Sequence, residues 1–154
     1  MKKAQSAMEY LMTYGWAILI VIIVAAALYA LGIFNPATYS QSTAVGFQGF
    51  QVPTGGWQVN STTVTIVLKN MMGANINITS IVAKYANGVT NETNVQLPVT
   101  LGPSDEQKFE MYGGTFSGPN PGASYSIIIE INYDNLDTGL TGFTSTGTIT
   151  GTAS

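Results

Sequence analysis

The sequence predicts an α+β protein in which a long N-terminal hydrophobic helix is followed by an antiparallel β-sandwich head. Two observations lead to this fold class. From Leu11 to Phe34 the chain carries no charged side chain and few polar ones. After residue 44, short segments rich in β-branched residues alternate with clusters of Gly, Asn and Pro, a pattern typical of strands and turns. The length of 154 residues leaves room for one sizeable core beside the helix.

The apolar segment is long enough to cross a membrane. As a helix rising about 1.5 Å per residue it covers roughly 36 Å, more than the hydrocarbon core of about 30 Å. It exceeds the apolar region of a secretory signal, and no small-residue cleavage site follows it, so we expect it to be retained. Lys2 and Lys3 precede it and the next cation is Lys69, which orients the N-terminus towards the cytoplasm. Gly32 and the Asn35-Pro36 pair are expected to end the helix.

The remainder is divided into a neck at residues 35–44, which is small and polar, and a head at residues 45–154. Asn87-Gly88 is a dipeptide favoured in two-residue hairpin loops. The Thr- and Gly-rich C-terminus is compatible with a low-complexity tail, but Phe143 and Ile149 favour a strand there. We predict strands at Val45–Val52, Thr62–Leu68, Ile76–Tyr85, Val95–Leu101, Gln107–Met111, Tyr125–Tyr133 and Gly142–Ile149.

The N-terminal residues carry the most specific signal in the chain. The sequence KKAQSAMEY, from Lys2 to Tyr10, runs directly into the apolar segment. It closely resembles the N-terminus of archaeal type IV pilins, which have a basic leader, a small residue and a Gln that starts the mature protein. An acidic residue four positions later and a long apolar helix complete that pattern. Many family members have Ser at the third mature position, whereas here Ser6 is second and Ala7 third.

The resemblance implies a structural filament subunit and no enzymatic activity. A membrane-embedded prepilin peptidase would cleave between Ala4 and Gln5, removing the leader at residues 1–4. Residues 5–34 would hold the precursor in the cell membrane. An assembly ATPase and its platform would then polymerise the chain with copies of itself into an extracellular filament used for surface adhesion.

Glu9 becomes the fifth mature residue under this resemblance, and two interpretations of it stay open. An acidic residue in the first turn of a helix is stabilised by the helix dipole without any further role. Alternatively, Glu9 is a buried partner for the Gln5 amine of an adjacent subunit, because an unpaired carboxylate inside a helix bundle is costly. Thr13 can bond its hydroxyl to a backbone carbonyl one turn back, which removes its polar cost in lipid.

Other residues of the helix suit an environment of lipid and neighbouring helices. Aromatic side chains near its start are expected to form an interfacial belt and to pack in the core, and small residues further on permit close approach of another helix. The candidate subunit-interface residues are therefore Glu9, Tyr10, Tyr14, Trp16, Ala25, Ala26 and Ala27.

Two further patterns lie in the head. Asn60, Asn77 and Asn91 each begin an Asn-x-Thr sequon, so N-glycans are expected if the head is outside the cell. The segment Asp134–Gly139 is similar to a calcium loop but lacks the alternating ligands and the downstream Glu, and we interpret it as a turn.

Composition makes several function classes poor matches. The chain has no His, Cys or Arg, and only 8% of its residues are charged. We therefore expect no catalytic residues, no metal, no cofactor and no nucleic-acid partner, since these functions need titratable ligands or clustered cations. Alternatives to a major pilin are an archaellin, a pseudopilin or a minor tip subunit. A membrane-anchored extracellular binding domain that does not polymerise is the alternative from another class.

Overall fold

The computed structural model describes residues 2–35 and 41–154, with side chains from Gln5 onward. The chain divides into two compact units, one ending at residue 39 and the other beginning at residue 40. The predicted fold class is confirmed, because an N-terminal apolar helix is followed by antiparallel sheets. Met1, which belongs to the predicted leader, and residues 36–40 of the predicted neck lie outside the described residues.

The first unit consists of helix α1, which spans Lys2–Ala30. Its end is a Schellman motif around Gly32, one of the residues that were expected to end the helix. The Gly32 N–H donates to Tyr29 O at 3.0 Å, the Ile33 N–H donates to Leu28 O at 3.2 Å, and Gly32 has the left-handed φ of 69° that this motif requires. The helix therefore ends four residues before the predicted limit of residue 34.

The second unit, the head, is built from strands joined mostly by short loops, and every pairing is antiparallel. Residues 41–154 form eleven strands: β1 Thr43–Val45, β2 Phe50–Gln51, β3 Trp57–Val59, β4 Val64–Asn70, β5 Ile76–Tyr85, β6 Gly88–Val89, β7 Glu92–Thr93, β8 Val99–Leu101, β9 Glu106–Tyr112, β10 Ser124–Asn135 and β11 Leu140–Thr152.

These strands form two sheets. Sheet A has the order β1-β11-β10-β5-β6, with β8 also paired to β5. Sheet B has the order β2-β4-β9-β7, with β3 also paired to β4. The long neighbours β10 and β11 pair from Ser124 with Thr152 to Asn135 with Leu140, so one hairpin forms the centre of sheet A.

The core of the head lies between the inner faces of the two sheets. Alternate residues of β4 and of β10 are fully buried, as expected for strands with one face inward. Burying each such aliphatic side chain contributes about 1.5–3 kcal/mol. Both sheets supply this core, through Val64, Ile66, Leu68 and Phe109 on one side and Ile127, Ile129, Ile131 and Ile149 on the other.

Several strand predictions need correction. The predicted Val45–Val52 strand is two short strands, β1 and β2, and β1 begins at Thr43 inside the predicted neck. Strand β3 was not expected. The C-terminus is a strand and not a tail, as favoured, and it extends to Thr152.

The hairpin loop assigned to Asn87-Gly88 is shifted by one residue. Tyr85 pairs with Gly88, so the loop consists of Ala86 and Asn87. Gly88 is instead needed in the strand, because a Cβ there would lie 2.6 Å from the carbonyl oxygen of Thr115.

Candidate functional site

The surface of α1 is the first candidate site, because it is apolar on every side. All side chains from Gln5 to Ala27 are exposed within the chain. The most apolar stretch of 18 residues within Gln5–Ala30 has a mean hydropathy of 2.4, and none of that stretch is buried. Its length and composition allow it to cross a membrane, either as an anchor or as part of a signal sequence. A helix that is hydrophobic all round is stable only where its surroundings are apolar on all sides.

Glu9 is the single charged residue on this surface from Gln5 to Ala30. In the sequence it is the only charged residue from Gln5 to the residue before Lys69, and its side chain is exposed on the helix. Its backbone carbonyl accepts a hydrogen bond from the Thr13 hydroxyl at 3.0 Å, as predicted for Thr13. Thr13 therefore brings no unsatisfied hydroxyl into an apolar environment, and the Glu9 carboxylate remains the group that needs a partner there.

The structure brings together only some of the predicted interface residues. The rings of Tyr10 and Tyr14, one turn apart, have centroids 4.2 Å apart and an interplanar angle of 33°. Trp16 lies about 200° further round the helix than Tyr14 and belongs to another side. Ala25, Ala26 and Ala27 are consecutive and so also lie on different sides. The predicted residues thus surround the helix and do not form one stripe.

The predicted processing junction between Ala4 and Gln5 lies within the helix. Helix α1 begins at Lys2, so the backbone is helical on both sides of this bond. The Gln5 side chain is exposed. Glu9 lies one turn further along the same side of the helix as Gln5.

The three sequon asparagines differ in accessibility. Asn91 is exposed in the loop between β6 and β7. Asn77 is half-buried within β5, where it pairs with Asp134 on one side and Thr100 on the other. Asn60 is half-buried in a turn.

The side-chain carbonyl of Asn60 holds that turn together. It accepts hydrogen bonds from the Thr62 N–H at 2.9 Å, the Thr62 hydroxyl at 3.2 Å and the Thr63 N–H at 2.7 Å. The folded head therefore presents Asn91 most openly among the three.

The loop after β10 uses its polar side chains to hold its own backbone. Asn135 Oδ1 accepts from the N–H groups of Asp137 and Thr138, and Asp134 Oδ1 accepts from the Gly142 N–H at 2.8 Å. Hydrogen bonds from the side chain and backbone of Asn75 lower the pKa of Asp137. These bonds are those of a turn, and within residues 2–35 and 41–154 no group of three or more acidic side chains could hold a metal ion.

Sequence reasoning missed a set of exposed apolar residues in the head. Ile128 lies in the predicted strand Tyr125–Tyr133, for which no inner and outer faces were assigned; it faces outward between Ile127 and Ile129 and is 44% exposed. The signal was present, because consecutive strand residues point to opposite faces and three isoleucines in a row cannot all be inside.

Comparison with protein-family models and with curated proteins finds no match to this chain. The resemblance to archaeal type IV pilins therefore depends on the N-terminal residues, from Lys2 into the apolar helix. The structure adds two physical observations to it. The side chains of the helix are apolar on every side, so no one face is marked as the buried one. The head has a hydrophobic core of its own.

Proposed function

We propose that this chain is the structural subunit of an extracellular type IV pilus-like filament. It is made as a membrane-inserted precursor, cleaved before Gln5 by a prepilin peptidase, and polymerised by an assembly ATPase and platform for surface adhesion. The observation that carries the proposal is the surface of α1, which is apolar on every side and bears one carboxylate, Glu9, near its start.

The apolar surface of α1 is compatible both with the membrane-inserted precursor and with the assembled filament. Before assembly the helix lies in lipid. Afterwards the same residues are covered by the helices of neighbouring copies. Lipid is as apolar as protein, so burial of area alone gives little preference for the filament, and packing between small residues must favour it. Ala25, Ala26 and Ala27 supply such residues on several sides, which fits a helix that is surrounded in a polymer.

Glu9 distinguishes a filament from a lone anchor. In a single membrane helix with its N-terminus at the cytoplasmic side, Glu9 lies near the interface and reaches water at little cost. In the middle of a helix bundle an unpaired carboxylate costs several kcal/mol, so it needs a cation. Cleavage before Gln5 creates one, the new α-amino group, and the Gln5 amine of an adjacent copy is the partner that we assign to Glu9.

N-linked glycans on the head are part of the proposal. Asn91 is the sequon asparagine that the folded head leaves exposed, so it is the position where a glycan is accommodated with least change to the structure. Glycans on Asn60 or Asn77 would have to be added before the head folds, because their side chains are half-buried.

The test is the variant Glu9→Gln, expressed beside the unmutated chain in cells that supply the processing and assembly machinery. We expect the variant to reach the membrane and to be cleaved normally, but to yield at least about tenfold fewer sheared filaments, since loss of one partner of a buried ion pair costs several kcal/mol. Glu9→Asp, which keeps the charge, is the matched control and should recover part of the yield.

A normal filament yield from Glu9→Gln would remove the ion-pair role. If the unmutated chain accumulates in the membrane and never forms filaments under these conditions, the proposed function is wrong. The anchored binding domain then becomes the better interpretation.

A further inference from the structure

The described part of the head begins with a segment that contributes little to the core. We call residues 41–45 the strap, and its last three residues form β1, the edge strand of sheet A. The register pairs with β11 are Thr43 with Thr150, Ala44 with Ile149 and Val45 with Thr148. Among the strap side chains, Ala44 is half-buried and packs against the core, and the other four are exposed. The strap is therefore attached to the head without a fully buried side chain.

The hydroxyl of Thr150 on β11 contacts the strap at two residues. It lies 2.8 Å from the Thr43 hydroxyl and accepts a hydrogen bond from the Thr43 N–H at 3.3 Å. It also lies 3.2 Å from the carbonyl oxygen of Gln41 and 3.4 Å from that of Thr43, either of which can accept its proton. A hydroxyl donates one hydrogen bond and accepts two. A single side chain thus fastens the strap at both Gln41 and Thr43.

The remainder of Thr150 is held by the two sheets. Its backbone carbonyl accepts a hydrogen bond from the Trp57 indole N–H at 3.3 Å, which joins β11 to β3 of sheet B. Gly151, the next residue, lies close to the hydroxyls of Tyr125 and Ser42, because a Cβ added to it would come 2.8 Å from the first and 3.1 Å from the second. Thr150 therefore stays with the folded sheets if the strap moves.

Gly46 and Phe47 mark the other end of the strap. Gly46 has a left-handed φ of 89°, which ends the extended conformation of β1. Phe47 is half-buried and packs on Gly147, since a Cβ on that glycine would lie 2.5 Å from the Phe47 ring. Because Phe47 is held by the core, release of the strap stops at Gly46.

The strap has the properties of a segment that opens locally. Regions with few buried apolar contacts open at a lower free energy than core strands do. Strand β10 supplies three fully buried isoleucines to the core, Ile127, Ile129 and Ile131, whereas the strap supplies one half-buried alanine. As an edge strand, β1 can also leave without breaking any other pairing, because β11 keeps β10 as its partner.

We propose that the strap detaches from β11 while the rest of the head stays folded, and that the Thr150 hydroxyl is the latch that sets how often this happens. Detachment adds residues 41–45, up to about 17 Å of extended chain, to the linker that precedes the head. The head then gains freedom to reorient without losing its core. This inference concerns the chain itself and does not depend on the filament function.

The chain has no Cys, so a single introduced thiol reports opening at one place. Ala44→Cys puts the thiol on the covered face of β1, because Ala44 shares that face with its buried partner Ile149. Ala83→Cys puts it at a fully buried position of β5, and Val45→Cys puts it on the exposed face of the strap.

The measurement is the reaction of each thiol with a water-soluble reagent, followed by intact mass with the full chain in detergent. We expect labelling at position 44 to be at least about tenfold slower than at position 45 and at least about tenfold faster than at position 83, because local opening is more frequent than global unfolding.

Two threonines on the same face of β11 test the latch. Thr150→Val, combined with Ala44→Cys, removes the hydroxyl and keeps the shape of the side chain. It should speed labelling at position 44 by about three- to tenfold, the ordinary effect of losing a hydrogen bond. Thr148→Val is the matched control, since Thr148 pairs with Val45, whose side chain forms no hydrogen bond. It should alter labelling at position 44 by less than about twofold. Neither valine variant should alter labelling at position 83.

Several outcomes would overturn the inference. Equal labelling rates at positions 44 and 83 mean that the strap opens only when the whole head unfolds, and equal rates at positions 44 and 45 mean that it is not attached. Equal effects of Thr150→Val and Thr148→Val remove the latch. Faster labelling at position 83 with Thr150→Val assigns the hydroxyl to the stability of the whole head instead. Since no filament is needed for these measurements, their failure leaves the proposed function unaffected, and absence of filaments leaves this inference unaffected.

Discussion

The helix unit exposes its apolar residues, whereas the head buries most of those on the inner faces of its sheets. In α1 every side chain from Gln5 to Ala27 is exposed. In the head, apolar residues on the inner faces of both sheets are fully buried, Ile66, Phe109 and Ile129 among them. The head therefore carries the interactions that stabilise its own fold, whereas the helix depends on lipid or on other chains. One unit is complete as a monomer and the other is not.

Because of this contrast, we expect the head core and α1 to determine different properties of the molecule. Changes in the head core should alter stability without altering membrane insertion, and changes in α1 should alter insertion or assembly without altering the stability of the head.

Removing the helix should have the largest effect. A chain of residues 41–154 should fold as a soluble protein with a cooperative thermal transition, because the buried core of the structure lies within it. The full chain should remain with lipid vesicles or detergent. Flotation with vesicles and circular dichroism measure the two properties. A truncated chain that aggregates or shows no cooperative transition would mean that the head needs the helix.

Enlarging a small residue of α1 should affect assembly alone. Ala26→Trp should insert in the membrane normally but lose most filament formation, because close helix approach depends on small residues. Ile22→Trp is the matched control, since it lies one turn earlier on the same side and already has a large side chain. Filament yield and membrane-bound protein are compared by shearing and fractionation. Equal yields from the two variants would show that Ala26 is not at a close helix contact.

Neighbouring isoleucines of β10 allow the same comparison within the head. Ile129→Ala removes a fully buried side chain and should lower the free energy of unfolding by about 2–5 kcal/mol. Ile128→Ala changes an exposed side chain and should alter it by no more than about 0.5 kcal/mol. Denaturant titration of the two variants gives both values. Similar losses would contradict the assignment of inner and outer faces.

The smallest effect is expected at Asp137, whose pKa is lowered from the ordinary value of 3.8 by hydrogen bonds from Asn75. A carboxyl group with a lowered pKa in the folded state stabilises it fully above the unfolded pKa, and this contribution is lost as pH falls through the folded pKa. Asp137→Ala should therefore be slightly less stable than the unmutated head at pH 7. The difference should shrink as the pH falls below 3.8, which thermal unfolding at several pH values would reveal. A difference that grows in acid would contradict it.

The fold could be predicted only where a pattern of neighbouring residues in the sequence indicates the element. The helix, its end near Gly32 and the strand Ile76–Tyr85 could be predicted because apolar runs, a glycine cap and β-branched segments act locally. The short strands β1, β2 and β3 could not, since two or three residues carry no period. Their positions depend on pairing with β11 and β4, which are distant in sequence.

The candidate site was predictable only where it depends on sequence order. The N-terminal pattern from Lys2 to Glu9 is continuous, and its interpretation needs no tertiary contact. In the head, strand pairing brings together residues as far apart as Val45 and Thr148, and no local sequence pattern aligns them. Asn91 is more exposed than Asn60 because the Asn60 side chain is held in a turn, and the sequon alone does not predict that turn.

The central claim is that α1 moves from membrane to filament after cleavage before Gln5. The most direct measurement combines electron microscopy of filaments sheared from cells that make this chain with intact mass spectrometry of the filament subunit. Our account predicts filaments whose subunit begins at Gln5, without Met1–Ala4. Filaments that retain Met1–Ala4, or a chain found only as a membrane protein without filaments, would contradict it.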